Sequence, residues 1–395
     1  MFTRFKKKVM ATSFLLASFG LISAENVHQA PRATAEEVKM DFWDLPPLEK
    51  AFISTEPEMF TDKLKVGKLG LDGGNKASIL KLAKELAENE HGKYDSLLIS
   101  HKDKLLFESY FNSGRIDLAH FQSSVTKGFT SLVLARAIQL GYVTMAELHK
   151  PIVSFFDDLD TSNLSAGAEL VTLHQALSMR SGLRFSDEQL KDFRTNRDKY
   201  KGTAQIQAFL ELSQPVTKAS QVYKYQGSDP ILVMHVINSV VPGSAKEFVE
   251  REFFSKMGIT NYKWRLDPIG MPIGDNGFDL NSRDMLKTGK LLANNGKWKN
   301  EQLLSAEYLA AAFEPITKAS ESWQPEGFNY GYLWYQTDIV LNNKKYNVTL
   351  TWGGGGNRII LVNALDLIIV ITGQDMEDKV FEPLIEAILP AFING

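Results

Sequence analysis

The chain of 395 residues, 44% hydrophobic and 23% charged, has enough apolar side chain for one large domain or two intimate subdomains. A formal net charge of -3 gives no electrostatic reason to expect nucleic acid or an anionic membrane as partner. The absence of cysteine excludes disulfides, a thiol nucleophile, cysteine-ligated zinc and a cysteine-linked lipid anchor.

In chain order, residues 1–24 read as a secretory signal peptide: Arg4, Lys6, Lys7 and Lys8 precede an apolar run from Val9 to Ile22 that ends at Ser23-Ala24. The run is short for a membrane span, so the expectation is an exported protein, periplasmic or extracellular, with no stable membrane insertion after cleavage. Residues 25–74, with Pro46-Pro47 and a cluster of four glycines from Gly67 to Gly74, suggest an extended arm wrapping a domain. The domain itself is expected over 75–395.

Asn75 to Glu90 places Ile79, Leu82, Ala83 and Leu86 on one helical face. Ser96 to Ser100 and Leu105 to Phe111 then predict a β-hairpin around His101 to Lys104. Phe121 to Leu140 is a helix, almost wholly apolar from Phe129 onward, with Ser123 the expected cap and Gly141 the stop. Helical patterns continue through Val171 to Leu183 and through Ile231 to Val241, the latter preceded by the polar, aromatic turn Tyr223 to Pro230. Period two returns in Tyr346 to Trp352, followed by four glycines, Gly353 to Gly356. Ile359 to Val362 and Leu367 to Ile371 form an apolar hairpin, and Asp375 to Phe392 a closing helix despite Pro383. The expected fold class is therefore α+β: one antiparallel sheet from both ends of the chain (75–120 and about 328–395) with a mainly helical part, about 121–327, between them.

Ser124 and Lys127 are three apart at the start of the enclosed helix, so the ammonium lies within reach of the hydroxyl, with Gly128 expected to leave room above them. A neutral lysine can take a proton from serine. Taken alone the spacing is weak, and it recurs at Ser78 and Lys81 on the amphipathic helix. What strengthens it is position, at the head of an apolar helix just after a hairpin. His120 is a rival base near Ser124. None of the seven histidines is clustered with another at metal spacing, so neither metal nor cofactor is expected.

Several stretches together resemble one family: LLFESYF, SVTKGFTSL, VTLHQALSMRSGL, the Tyr223 to Pro230 loop, LNSRDMLKTGKLLANNGKW, FNYGYLWY and GGGGNRIILV. The chain resembles the serine hydrolases related to β-lactamases, particularly the class C β-lactamase-like esterase and 6-aminohexanoate-dimer hydrolase branch. The resemblance implies a β-lactamase/transpeptidase-like fold, an active site between its sheet and helical parts, and an acyl-enzyme on the serine. It implies a tyrosine working with the lysine, best matched by Tyr225, with Tyr223 as competitor and Ser228-Asp229 as a serine-based substitute. Gly227 departs from the family's usual asparagine or serine two positions after the tyrosine.

Two look-alikes are set aside: Tyr110-Phe111-Asn112 lies on the hairpin, and Lys287-Thr288-Gly289 lies in a helical pattern where a strand is required. The family's lysine-threonine-glycine strand is replaced by Val348-Thr349-Leu350 or by Trp352-Gly353-Gly354, so its basic residue, which commonly holds a substrate carboxylate, is absent. Arg358 is the candidate substitute. Gly353, Gly354, Gly355 and Trp352 complete the expected substrate-binding set, one amide from Gly353 to Gly356 joining that of Ser124 as an oxyanion hole. Tyr332, Trp334 and Trp352 are equally candidates for an acyl pocket and for core. The expected activity is hydrolysis of a small-molecule ester, amide or peptide. The alternatives are a non-catalytic or penicillin-binding recognition protein of the same fold, or a true β-lactamase.

Overall fold

The computed structural model describes residues 29–393, and the expected signal segment lies outside them. The strands are β1 (Phe52–Ser54), β2 (Tyr94–His101), β3 (Lys104–Tyr110), β4 (His120–Phe121), β5 (Tyr262–Trp264), β6 (Phe278–Leu280), β7 (Lys297–Trp298), β8 (Glu301–Gln302), β9 (Thr317–Lys318), β10 (Asn329–Tyr330), β11 (Tyr335–Leu341), β12 (Lys344–Leu350), β13 (Arg358–Val362) and β14 (Leu367–Gly373). Nine of them form an antiparallel sheet in the order β1-β3-β2-β14-β13-β12-β11-β10-β9, so strands from both ends of the chain meet where β2 pairs with β14. The arm contributes β1 to one edge by pairing Phe52 with Tyr110.

Every residue of β2 and β14 is buried, as befits strands covered on both faces. Side-chain alternation says what covers each face. His101 and Leu367 are cross-strand partners, and His101 packs against Phe392 of the closing helix Phe381–Ile393, which in turn packs on α1 (Lys76–Ala87). Ile368 points the opposite way, against Gly289 of the helix Ser282–Ala293. A methyl group at Gly289 would sit 2.6 Å from Ile368, so glycine is what allows this helix to lie flat on the sheet. Lys287-Thr288-Gly289 is thus helical, with Lys287 ion-paired to Asp284 at 2.7 Å.

Asn75 caps α1 by accepting the Ser78 N–H, as the sequence pattern requires. Helix α2 (Val125–Gln139) is buried without interruption from Val125 through Ala137. Between it and the rest of the helical part lie α3 (Leu173–Leu177), α4 (Asp187–Thr195), α5 (Thr203–Leu212) and α6 (Ser228–Val240), of which α6 packs directly on α2 and α3. α3 starts at the Thr172 capping box but is shorter than the pattern over Val171 to Leu183 predicts, because Met179 and Gly182 adopt left-handed backbone. The closing helix starts at Phe381, so Pro383 falls in its first turn, where a missing N–H costs little.

Candidate active site

The start of α2 differs from expectation by one residue. Ser124 itself, not Ser123, is the N-cap, and its side chain makes no capping bond. Ser123 takes a left-handed conformation (φ 49°), and its carbonyl accepts both the Thr126 N–H (3.2 Å) and the Thr126 hydroxyl (2.6 Å). A non-glycine residue in that region is strained and persists only where its surroundings enforce it. Here the strained turn frees the Ser124 hydroxyl from capping. The amide of an N-cap residue also has no partner within the helix.

Lys127 donates to Ser124 Oγ at 2.9 Å and to the Asp275 carbonyl oxygen at 2.8 Å. Its ammonium lies 4.8 Å from the centre of the Tyr225 ring. The structure therefore gathers Ser124, Lys127 and Tyr225 from two helix starts into one cluster. Gly128 does not leave open space, as a methyl group there would meet Thr351 Cγ2 at 2.5 Å and the Trp334 ring at 3.3 Å. Its role is close approach of α2 to the end of the sheet.

The rival residues face elsewhere. His120 bonds Asp95 and the Phe121 carbonyl, each at 2.8 Å. Tyr223 is buried, accepts from Gln324 and packs on Tyr330. Tyr110 donates to Glu108 inside the core. Asp229 accepts from Ser181 (2.7 Å) and Gln226 (2.6 Å), and its complete burial pushes the carboxyl up to about 6. Tyr332 and Trp334 are core residues.

Beyond β12 the chain continues alongside β13: the Thr351 N–H goes to Ile359 and the Gly353 N–H to Asn357. In an extended strand alternate amides point to opposite sides, so that of Trp352, between them, faces away from β13. β11 ends its pairing at Leu350, and in its place lies the start of α2. A methyl group at Gly353 would stand 2.3 Å from the Gln122 carbonyl and 3.0 Å from the Val125 nitrogen, and one at Gly354 would stand 3.2 Å from Ser123 Oγ. Glycine at these two positions lets this segment touch the start of α2. The Gly353 amide is engaged with Asn357, and the Trp352 amide is the one that strand parity turns to the start of α2. Gly355 (φ 90°) abuts the Gly373 carbonyl instead, away from α2.

Arg358 requires a correction. Its side chain is fully buried, NH1 and NH2 pair with the Asp378 carboxylate at 2.8 and 2.7 Å, and NH1 also donates to the Gly356 carbonyl. It is neither a surface group nor free for a substrate carboxylate. The same Asp378 accepts the indole N–H of Trp352, whose ring lies 4.7 Å from the Arg358 guanidinium. The arginine thus holds Trp352 in place from beneath.

Sequence reasoning missed three contributors. Asp275 serves Lys127 through its backbone, which no residue pattern reveals. Its carboxylate also fills the space beside Gly227, where an added methyl would meet Asp275 Oδ2 at 2.6 Å, so a side chain at position 227 is excluded by a polar group already there. Glu321 accepts the Tyr225 N–H at 2.8 Å, and Trp323, half exposed, sets its ring edge to face with Tyr225 (5.4 Å) and Trp352 (5.7 Å). The polar loop before β10 carries no period that would single these residues out. Among the described residues no group of three His, Asp or Glu side chains converges at metal-binding distance.

Comparison with known proteins finds a family model, described as Beta-lactamase, that matches residues 84–391. No curated protein matches. Among solved structures, a Bacillus anthracis protein provisionally named 6-aminohexanoate-dimer hydrolase is 20% identical over 77% of this chain and 79% of its own, with a TM-score of 0.61. A class C β-lactamase is 14% identical over 79% and 95%, with a TM-score of 0.60. A D-stereospecific amidohydrolase from Streptomyces is 15% identical over 81% and 99%, also at 0.60. Similarity at this level establishes the β-lactamase/transpeptidase-like fold.

Proposed function

Because the chain belongs to the β-lactamase family, whose members are generally serine hydrolases, we propose that it hydrolyses an ester or amide through an acyl-enzyme on Ser124. The observation that carries this reading is the 2.9 Å contact between Lys127 Nζ and Ser124 Oγ. Lys127 takes the hydroxyl proton as Ser124 attacks the carbonyl carbon. The oxyanion is held by the Ser124 amide and by an amide from the segment Trp352 to Gly354, and one such donor is typically worth ~10²-fold or more in rate. Tyr225 relays the proton to the departing alcohol or amine. It then helps draw a proton from the water that cleaves the acyl-enzyme, returning Ser124. The acyl group lies along the wall formed by Tyr225, Trp323 and Trp352.

Strand β12 and the residues after it offer no lysine or histidine at the third motif, which speaks against a β-lactam as the preferred substrate. The charged and apolar start of the chain supports export. An active-site fluorophosphonate followed by peptide mapping tests the mechanism: labelling at Ser124, lost in Ser124→Ala, is expected. Labelling elsewhere, or none in folded protein, overturns it. Turnover of short-chain p-nitrophenyl esters with nitrocefin left intact separates an esterase from a β-lactamase.

A further inference from the structure

A cleft of about 800 Å³ opens beside the catalytic cluster, with Tyr225 and Asp275, both in contact with Lys127, on its near wall. Its floor is aromatic: Phe185, Phe193 and Phe209 pack ring to ring with centroids 5.0 to 5.6 Å apart. Its lining is strongly basic. Arg184 is tied to the Leu183 and Ser220 carbonyls, and Lys224 pairs with Glu321. The guanidinium groups of Arg194, Arg197 and Arg265 have neither a hydrogen bond nor an ion pair among the described residues.

The cleft's two carboxyls make their hydrogen bonds to other partners. Asp267 accepts the backbone N–H groups of Ile269 and Met271, and Asp275 accepts from the Asn276 amide. Burial pushes both carboxyls above the usual range, against the pull of the Arg197 charge on each. Three exposed guanidinium groups therefore stand around an aromatic-floored cleft in whose lining basic side chains outnumber carboxyls. Their planar, forked donors match a carboxylate in geometry as well as charge.

We propose that this cleft binds a carboxylate carried by an apolar part of the substrate, so that the enzyme prefers anionic esters or amides whose charged end lies on Arg194, Arg197 and Arg265. The proposal rests on the serine hydrolase reading for turnover, but not for binding. Arg358, committed to Asp378, plays no part in it.

A matched pair of esters of equal chain length tests it: the mono-p-nitrophenyl ester of suberate against p-nitrophenyl octanoate. Wild type is expected to favour the suberate ester by roughly tenfold in kcat/KM at low salt, the scale of one charge-assisted hydrogen bond. The preference should shrink as salt is raised and vanish in Arg197→Gln/Arg265→Gln, whose exposed positions leave folding intact. Equal turnover of the two esters by wild type, or a preference that survives the double substitution, overturns the proposal. Calorimetric titration of suberate into Ser124→Ala separates this outcome from failure of the mechanism. Binding that the arginine substitutions abolish sustains the anion site even if neither ester is hydrolysed, and absence of suberate binding overturns it.

Discussion

The carboxylate of Glu321 accepts the backbone N–H of Tyr225 at 2.8 Å, so the loop that presents Trp323 is fastened to the loop that presents the tyrosine. Glu321→Ala removes an ionised acceptor from a half-buried amide, a loss on the order of 1.5–3 kcal/mol where it is fully felt. The expected result is a fall of about tenfold in kcat for a p-nitrophenyl ester, with fluorophosphonate labelling of Ser124 retained. Unchanged kcat would remove Glu321 from the positioning of Tyr225.

Lys127→Met keeps the buried volume and removes the base. Hydrolysis should fall by about 10²–10⁴-fold, the usual contribution of general base catalysis. In Ser124→Ala/Lys127→Met the two losses should not multiply, because the residues act on one proton. Steady-state rates of the two single variants and the double variant provide the check.

Gly353→Ala is expected to be far more damaging than Gly141→Ala. The first would force a methyl group to within 2.3 Å of the Gln122 carbonyl, while the second meets nothing within 4 Å and carries only the strain of a left-handed residue at an exposed helix end. Loss of ester turnover by ~10²-fold or more is expected for Gly353→Ala, comparable to losing an oxyanion donor.

The ion pair beneath Trp352 predicts an asymmetry in stability. Asp378→Ala strands a fully buried guanidinium and should cost about 3–5 kcal/mol, whereas Arg358→Met, which removes the buried charge itself, should cost less. Urea unfolding of both variants measures the difference.

Two buried groups titrate in opposition. Burial raises Asp229 to about 6, so between about 4 and 6 the folded chain holds a proton that the unfolded chain has released, and stability falls as pH rises through that window. Burial lowers His235 to about 4, so between about 6.5 and 4 the unfolded chain binds the extra proton, and stability falls as pH drops. Thermal unfolding from pH 4 to 7 should show the Tm of Asp229→Asn rising relative to wild type with increasing pH. The Tm of His235→Gln should rise relative to wild type with decreasing pH.

The elements legible in the sequence are those in which side-chain periodicity and burial coincide. The hairpin of β2 and β3, the uniformly apolar α2 and the pair β13 and β14 all announce themselves this way, and they place Ser124 and Lys127. Tyr225 follows from its position ahead of α6. What the sequence conceals works through backbone or long-range geometry. Asp275 offers a carbonyl, Glu321 reaches an amide 96 residues away, and Arg358 sits on a strand edge by pattern yet is buried by the arrival of Asp378 from beyond β14. The glycine run was readable as close approach, but which amides turn toward the helix depends on a strand parity that starts at Thr351.

The arm's short strand β1 covers the outer side of β3, while the far edge of the same sheet is closed by the two-residue β9. Unpaired N–H and C=O groups along a full-length edge strand are a template for joining another chain. Leaving only two- and three-residue strands at its borders, this nine-stranded sheet guards itself against edge-to-edge aggregation. Trimming the arm past Ser54 would uncover Glu108 to Tyr110 of β3 and is expected to promote self-association, which light scattering would detect.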